Sequence, residues 1–362
     1  MANTSLNTSK VLNNNEFYTL LSDVEAECGH YEKHFKGKVV LCNCDDPFQS
    51  NFVKYFMLKF KKLGLKQLIS TCYKSQNADL FSRKDSERAV YMVYNGEQKG
   101  NMPDWDARQI FPLKGDGDFR SEECINLLKA SDIVATNPPF GTEFEDFIKT
   151  LLKYEKKFLI IGNQNALHYS YMFPKIAENK IWLGYNYVKC FATPLERVED
   201  PKKQYMKDGV VYQKFGNVCW FTNLDHDKRH EELVLYKKYS CDEYKHYYNF
   251  DGIDVPEISK IPVDYDGLMG VPDTLIASYN PEQFELIGVG SDVTKTAQHI
   301  AYKKEGIICY VRDGQRIWTT PYTVSERKLG NGLRLNDNGQ PGSSPFSRII
   351  VRLKHPQDKR YE

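Results

Sequence analysis

The sequence predicts an α/β protein: a doubly wound, mainly parallel sheet followed by a second, α+β or β-rich region. Three observations predict this. Short apolar runs alternate with stretches of helical periodicity through about residue 225, the signature of strand–helix–strand units. The runs close on polar residues, Asn43, Cys72, Asn137 and Asn163, at the carboxyl edge where open α/β sheets take their ligands. After Asp225 the pattern changes to short segments rich in Asp, Gly, Pro and Tyr.

Each element has a local reason. Lys38 to Asn43 is a short apolar strand. Ser50 to Lys62 carries Phe52, Phe56 and Phe60 on one helical face, with Val53 and Met57 beside them and Gly64 as the stop. Gln67 to Thr71 is the next strand, and Val90 to Tyr94 with Asn95-Gly96 reads as a hairpin. Ser121 caps a helix through Ala130, and Ile133 to Thr136 is a strand. Thr142-Glu143-Phe144-Glu145 reads as a capping box opening a helix to about Tyr154. Phe158 to Gly162 is a fully apolar strand, and Trp182 to Gly184 and Val218 to Thr222 supply two more. Beyond them Ile261 to Asp266, Ile307 to Arg312 and Arg348 to Leu353 are the apolar segments of the second region. The expected organisation is a tail over 1–15, a first domain over 16–225 and a second over 226–362.

Composition narrows the class. A chain of 362 residues with 41% hydrophobic and 27% charged residues is an ordinary globular protein. It has no run of 18 apolar residues, and its Asn/Ser/Thr-rich start lacks the apolar core of a signal peptide. Nine scattered cysteines point to free thiols in a reducing cytoplasm. They form no C-x-x-C pair, so no zinc or other metal is expected. Net charge is +1, yet from Lys295 onward thirteen Lys/Arg face six Asp/Glu. That basic stretch is compatible with phosphate contacts or with a solvated face. Its candidates are Lys303, Lys304, Arg312, Arg316, Arg327, Lys328, Arg348, Arg352 and Lys354, interleaved with Tyr310, Trp318 and Tyr322.

The most informative motif is Asn137-Pro138-Pro139-Phe140, directly after the Ile133 to Thr136 strand. Two prolines fix φ and hold the backbone extended. That arrangement lets the Asn137 amide and the Pro138 carbonyl address one planar NH₂ group while Phe140 stacks on it. Such a corner suits methyl transfer to an amide or amine nitrogen, given a cofactor site upstream. The candidates for that site are Asn43, Asp45 and Asp46 after the first strand, Cys72 after the second, and Asp116, Asp118 and Phe119 in Gly115 to Phe119. Either aspartate after the first strand alone reads equally as an acidic turn or a helix cap. The Gly115 segment reads equally as a plain loop. No glycine-rich turn follows the first strand and no acid ends the second.

Together these residues resemble the EcoRI-type family of adenine-specific DNA methyltransferases. The resemblance covers roughly residues 11 to 290. It rests on Glu16-Phe17-Tyr18-Thr19, Val40 to Pro47 (VLCNCDDP), Ser50-Asn51-Phe52, Gly115 to Arg120 (GDGDFR) and Ser131 to Phe140 (SDIVATNPPF). It continues through Lys157 to Asn163 (KFLIIGN), Glu178 to Gly184 (ENKIWLG), Trp220 to Leu224 (WFTNL), Asp264 to Pro272 (DYDGLMGVP) and Asn280 to Leu286 (NPEQFEL). It implies a Rossmann-like S-adenosylmethionine-binding domain, a C-terminal target-recognition region, and N6-methylation of an adenine flipped out of double-stranded DNA. Asn137, Pro138, Pro139 and Phe140 would form the catalytic corner, and Phe17, Tyr18, Thr19, Asp45, Asp46, Asp116 and Asp118 would line the cofactor pocket. A monomer is expected, in a restriction–modification setting with a cognate endonuclease and no stable complex required. The sequence departs from the family in Gly141 to Phe147, Asn186 to Gly216 and past Gly288, stretches expected to touch DNA. The alternatives are N-methylation of RNA or of protein glutamine, which usually brings the glycine turn missing here, and an inactive DNA-binding relative.

Overall fold

In the computed structural model the described residues are 19–72, 89–139, 141–193, 203–207, 210–291, 308–312, 315–319 and 332–356. They divide into two compact units. One is formed by the described residues of Met1–Leu167 and Ile181–His226, the other by those of His168–Lys180 and Asp227–Glu362. His168–Lys180 therefore groups with the second unit.

The first unit is built on a nine-stranded mixed sheet. Its centre is β1 (Val39–Asn43), β2 (Gln67–Cys72), β5 (Ile133–Thr136) and β6 (Lys157–Asn163), all parallel, in the order β6-β5-β1-β2. The flanks are antiparallel: β3 (Val90–Tyr94) and β4 (Gln109–Pro112) beyond β2, and β7 (Trp182–Thr193), β8 (Gln204–Lys207) and β9 (Val210–Thr222) beyond β6. The sheet is thus less uniformly parallel than expected, because only the four central strands are parallel to their neighbours.

Several local expectations are corrected. The helix expected over Ser50 to Lys62 breaks at Lys59 into α2 (Asn51–Leu58) and a turn over Phe60–Leu63, closed by Gly64 at φ 63°. Its predicted face is buried: Phe52, Phe56 and Phe60 join Val53, Met57 and Trp220 in the main core. The Asn95-Gly96 hairpin does not form. β3 pairs instead with β2 and, across residues 95–108, with β4. The α4 helix (Thr142–Lys153) exists, but its cap is Gly141 at φ 83°, so Thr142 is not the N-cap of a capping box. Ser121 does cap α3 (Glu122–Ala130), its Oγ accepting from the Cys124 N–H.

One carboxylate ties the N-terminal helix α1 (Leu21–Cys28) to the sheet. Glu27 is fully buried and accepts from the Tyr31 hydroxyl at 2.9 Å and from the N–H groups of Tyr185 and Asn186, each at 2.7 Å. Burial raises its pKa. Gly184 leaves the room: a Cβ there would stand 2.3 Å from Glu27 Oε1 and 2.5 Å from Trp220 Cβ. Gly184→Ala is therefore expected to cost about 1–3 kcal/mol through overpacking, read as a lower midpoint in urea at unchanged m-value.

In the second unit β10 (Ile253–Asp254), β11 (Met269–Pro272), β15 (Arg348–Leu353) and β12 (Phe284–Val289) form a sheet in that order. Asp254 accepts from Arg348 Nε at 2.9 Å and from the Tyr247 hydroxyl at 2.7 Å. Ile261 to Asp266 forms no strand, and the strand of that stretch is Met269–Pro272. The backbones of β13 (Ile308–Arg312) and β14 (Gln315–Thr319) pair as a hairpin. Among the described residues no helix is long and apolar enough to cross a membrane, and no cluster of three or more His, Cys, Asp or Glu is arranged for a metal.

Candidate active site

The chain order reverses between β1 and β5: β2 lies on one side and β6 on the other. Such a switch point opens a crevice at the carboxyl ends of the strands. Asn43 ends β1 there and Asn137 follows β5 there, on strands in direct register through Val40↔Ile133 and Leu41↔Val134.

A hydrogen-bond network welds the two strand ends. The Thr136 hydroxyl reaches the Asn43 carbonyl and, at 2.5 Å, Asp45 Oδ2. The Thr71 hydroxyl donates to Asn43 Oδ1 at 2.6 Å and accepts from the Cys44 N–H at 3.2 Å. Cys44 takes φ 79°, in the left-handed region. A non-glycine residue thus makes the turn for which a glycine was sought, at a cost of about 1–2 kcal/mol.

Asp45 is the hub. It is buried, and its Oδ1 accepts from the Ser50 hydroxyl at 2.6 Å. The Asn137 N–H also donates to it. Ser50 in turn caps α2 by accepting from the Phe52 N–H. Burial pushes the Asp45 carboxyl up to about 7, against the three donors that favour its charged form. Asp45 therefore serves the scaffold beneath the corner, with both oxygens engaged by the protein. Asp46 is half-buried: Oδ1 accepts from the N–H groups of Phe48 and Gln49 at 2.7 and 2.9 Å, and Oδ2 stands 3.6 Å from Cys72 Sγ.

The Gly115 to Phe119 loop meets these strand ends, for the Cys44 thiol is held well above its ordinary pKa by burial, with Asp45, Cys124, Asp118 and Cys72 adding to the effect. Asp116 Oδ1 accepts from the Asp118 N–H at 3.0 Å. Asp118 is gripped by the Arg120 guanidinium at 2.8 and 2.5 Å, which lowers its pKa. Phe119 is buried edge-on against Phe147 of α4, at 5.0 Å between ring centroids, with the Arg120 guanidinium 5.0 Å from its own ring centre. Packing thus occupies much of the Phe119 ring.

Thr19 lies beside the same corner: its carbonyl accepts from Asn51 Nδ2 at 2.7 Å, at the start of α2. Its hydroxyl is buried with no hydrogen-bond partner among the described residues. Phe17, Tyr18 and Phe140 lie outside the described residues, as do Lys303, Lys304, Arg327 and Lys328. Arg312 and Arg316 fall on β13 and β14, where only the backbone is described. Pro138 is buried, Asn137 and Pro139 half-buried.

Sequence reasoning missed Arg108. Its Nη1 donates to the Pro47 carbonyl at 2.9 Å and its Nε to the Trp105 carbonyl at 2.6 Å. Its guanidinium stands 4.7 Å from the Phe48 ring centre. It thereby braces the Asp46-Pro47-Phe48 turn from 61 residues away in sequence, a distance that no local pattern reports.

The adenine-specific methyltransferase EcoRI family model matches residues 5–354. The chain belongs to that family. It is 44% identical to the type II methyltransferase M.EcoRI of Escherichia coli over 79% of this chain and 89% of that protein. It is 37% identical to the type II methyltransferase M.MpnI of Mycoplasma pneumoniae, over 78% of this chain and 84% of the relative. For M.MgeORF184P of Mycoplasma genitalium the identity is 36% over the same shares. No solved structure matches the chain significantly. As a member of the EcoRI methyltransferase family the protein is an enzyme of site-specific DNA adenine methylation. The corner after β5 is where its geometry concentrates.

Proposed function

We propose that this chain transfers a methyl group from S-adenosylmethionine to N6 of an adenine flipped out of duplex DNA, within a doubly wound, Rossmann-like domain. The observation that carries the reading is the network through Thr136, Asn43 and Asp45, which sets Asn137-Pro138-Pro139 at the switch point beside β1.

The residues present fit the methyl donor. The buried hydroxyl of Thr19, a residue that Asn51 ties to the start of α2 through its carbonyl, has no partner among the described residues and suits a carboxylate. Asp46 suits an amino group or ribose hydroxyls, and the Asp116 to Phe119 loop suits the adenine end. Asn43 and Cys72 border the same crevice. Bound S-adenosylmethionine supplies an activated sulfonium methyl.

The protein's part is positioning. Adenine N6 is a poor nucleophile because its lone pair is delocalised into the ring. Accepting its two N–H bonds at the Asn137 amide oxygen and the Pro138 carbonyl localises that pair and aims it. Flipping costs a few kcal/mol, and stacking on Phe140, worth about 1–3 kcal/mol, offsets part of it. The surplus proton leaves to solvent after transfer. The basic residues Lys303, Lys304, Arg312, Arg316, Arg327 and Lys328 belong in this reading to a C-terminal recognition region. One chain carries the whole corner, so we read the enzyme as a cytoplasmic monomer, serving beside a cognate endonuclease without a stable complex.

The test is transfer of radiolabelled methyl from S-adenosylmethionine to unmodified bacterial duplex DNA, followed by nucleoside analysis and strand sequencing. N6-methyladenine at one short recurring site is expected. Label in RNA or protein glutamine instead would redirect the reading, and tight DNA binding without transfer would make the chain an inactive binder.

A further inference from the structure

The register of β9 shows a feature that the corner does not use. Only Val218–Thr222 of this strand pair with β6, and Val218 stands opposite Asn163, the last residue of β6. Residues 210–217 therefore run past the carboxyl edge of the sheet. There β9 pairs with β7 on one side and with β8 on the other. β8 occupies the same edge of β9 as β6 does, so it continues the line of β6 beyond Asn163. Counted on β7, from Val188 opposite Val218 to Phe191 opposite Gln213, where Gln204 begins its pairing, the advance is about 10 Å at about 3.3 Å per residue. The neighbour of β6 within the sheet is β5, which leads into Asn137. The three strands thus form an arm standing beside the line of the corner. A register shift between Lys214 and Val218 marks its root, and Asn217 Nδ2 pins it to Asn163 Oδ1 at 2.9 Å.

The arm is two-faced, as strand alternation requires. Phe191, Val211 and Gln213 are buried on one face. The other face carries Tyr205 and Lys207 of β8 with Tyr212 and Lys214 of β9. Tyr205 and Tyr212 stack at 5.1 Å, and Lys214 Nζ lies 5.3 Å from the Tyr205 ring centre. Lys207 and Lys214 are exposed, and residues 187–217 carry six Lys/Arg against four Asp/Glu. Lysines set on a rigid aromatic platform suit an anionic, regularly charged partner.

We propose that the outer face of the β7–β9–β8 arm grips the phosphate backbone of the DNA duplex next to the flipped adenine, with Lys207 and Lys214 as the phosphate contacts. This rests on the DNA-methylating reading of the corner and adds to it a surface in the first unit, apart from the basic C-terminal stretch.

The experiment measures binding of the full chain to a short fluorescein-labelled duplex by anisotropy across a salt series. It compares wild type with Lys207→Gln/Lys214→Gln and with Lys36→Gln/Lys61→Gln, a pair of exposed lysines near the starts of β1 and β2, at the opposite edge of the sheet. The arm variant is expected to lower the slope of log affinity against log salt by about 2, each phosphate contact contributing about 0.9. At 0.1 M salt this weakens binding by roughly 60-fold. The control pair leaves the slope in place, Lys207→Arg/Lys214→Arg restores it, and S-adenosylmethionine affinity stays constant throughout. Equal slopes for wild type and the arm variant, or equal losses in arm and control variants, overturn the arm assignment alone. A wild-type protein that neither binds nor methylates DNA overturns the underlying reading instead.

Discussion

Replacing Asn137 with alanine is expected to lower the rate of methyl transfer by about 10²–10³-fold, the usual loss when one preorganised polar contact to a reacting group is removed. The Asn137 side chain acts on the target nitrogen in this scheme, whereas the cofactor is held by Thr19, Asp46 and the Gly115 to Phe119 loop. S-adenosylmethionine affinity should therefore change by no more than about twofold, with kcat and kcat/KM falling together. Single-turnover transfer to DNA and calorimetric titration of the cofactor separate the two effects. A variant that turns over at the wild-type rate would remove Asn137 from the mechanism.

The second large effect belongs to Asp45. Alanine there takes the acceptor from the Ser50 hydroxyl and the Asn137 N–H, and an orphaned buried donor costs about 1–3 kcal/mol. Thr136 keeps the Asn43 carbonyl as its partner. Because one lost bond holds the backbone of Asn137 itself, a fall of at least about tenfold in kcat is expected beside the lost stability, a displacement of even 1 Å being able to cost far more. Asparagine is the informative contrast, since its amide keeps an acceptor for Ser50 and Asn137 and a donor for the Thr136 oxygen.

The pH dependence follows from the same carboxyl. Its folded pKa is raised to about 7 from an ordinary 3.8, so the folded state binds the proton that the unfolded state releases. Asp45 thus favours folding fully below the unfolded value, and this contribution is lost as pH rises through about 4 to 7. Asp45→Asn should flatten the stability profile in that window, measured by urea unfolding at successive pH values. A wild-type slope that survives the substitution would assign the titration to another group, Glu27 being the next buried carboxyl with a raised pKa.

Elements driven by short-range chemistry were legible in the sequence. β1, β2, β5 and β6 appear as apolar runs because a strand buried on both faces needs nothing else. Ser121 announces its helix because a cap bonds only three residues ahead. Where a local signal competed with distant partners, it failed. Asn95-Gly96 looked like a hairpin, but β3 found β2 on one side and β4 on the other. Thr142 looked like a cap, but Gly141 with positive φ took that position. Trp182 to Gly184 and Val218 to Thr222 were visible only as their most apolar parts, since beyond Asn163 the strands alternate buried and exposed residues.

The sequence by itself determined the family, the NPPF corner and its place after a parallel strand, because these depend on residue identity in one continuous segment. Tertiary structure alone decided which of two adjacent aspartates faces the crevice. Asp45 is drawn inward by Ser50 and by Thr136 and Asn137, donors brought from two segments, while Asp46 is left at the half-buried turn. It also decided that Cys44 makes the glycine-like turn and that β8 extends the line of β6 past the corner. Each of these depends on long-range register, which no single stretch of chain encodes.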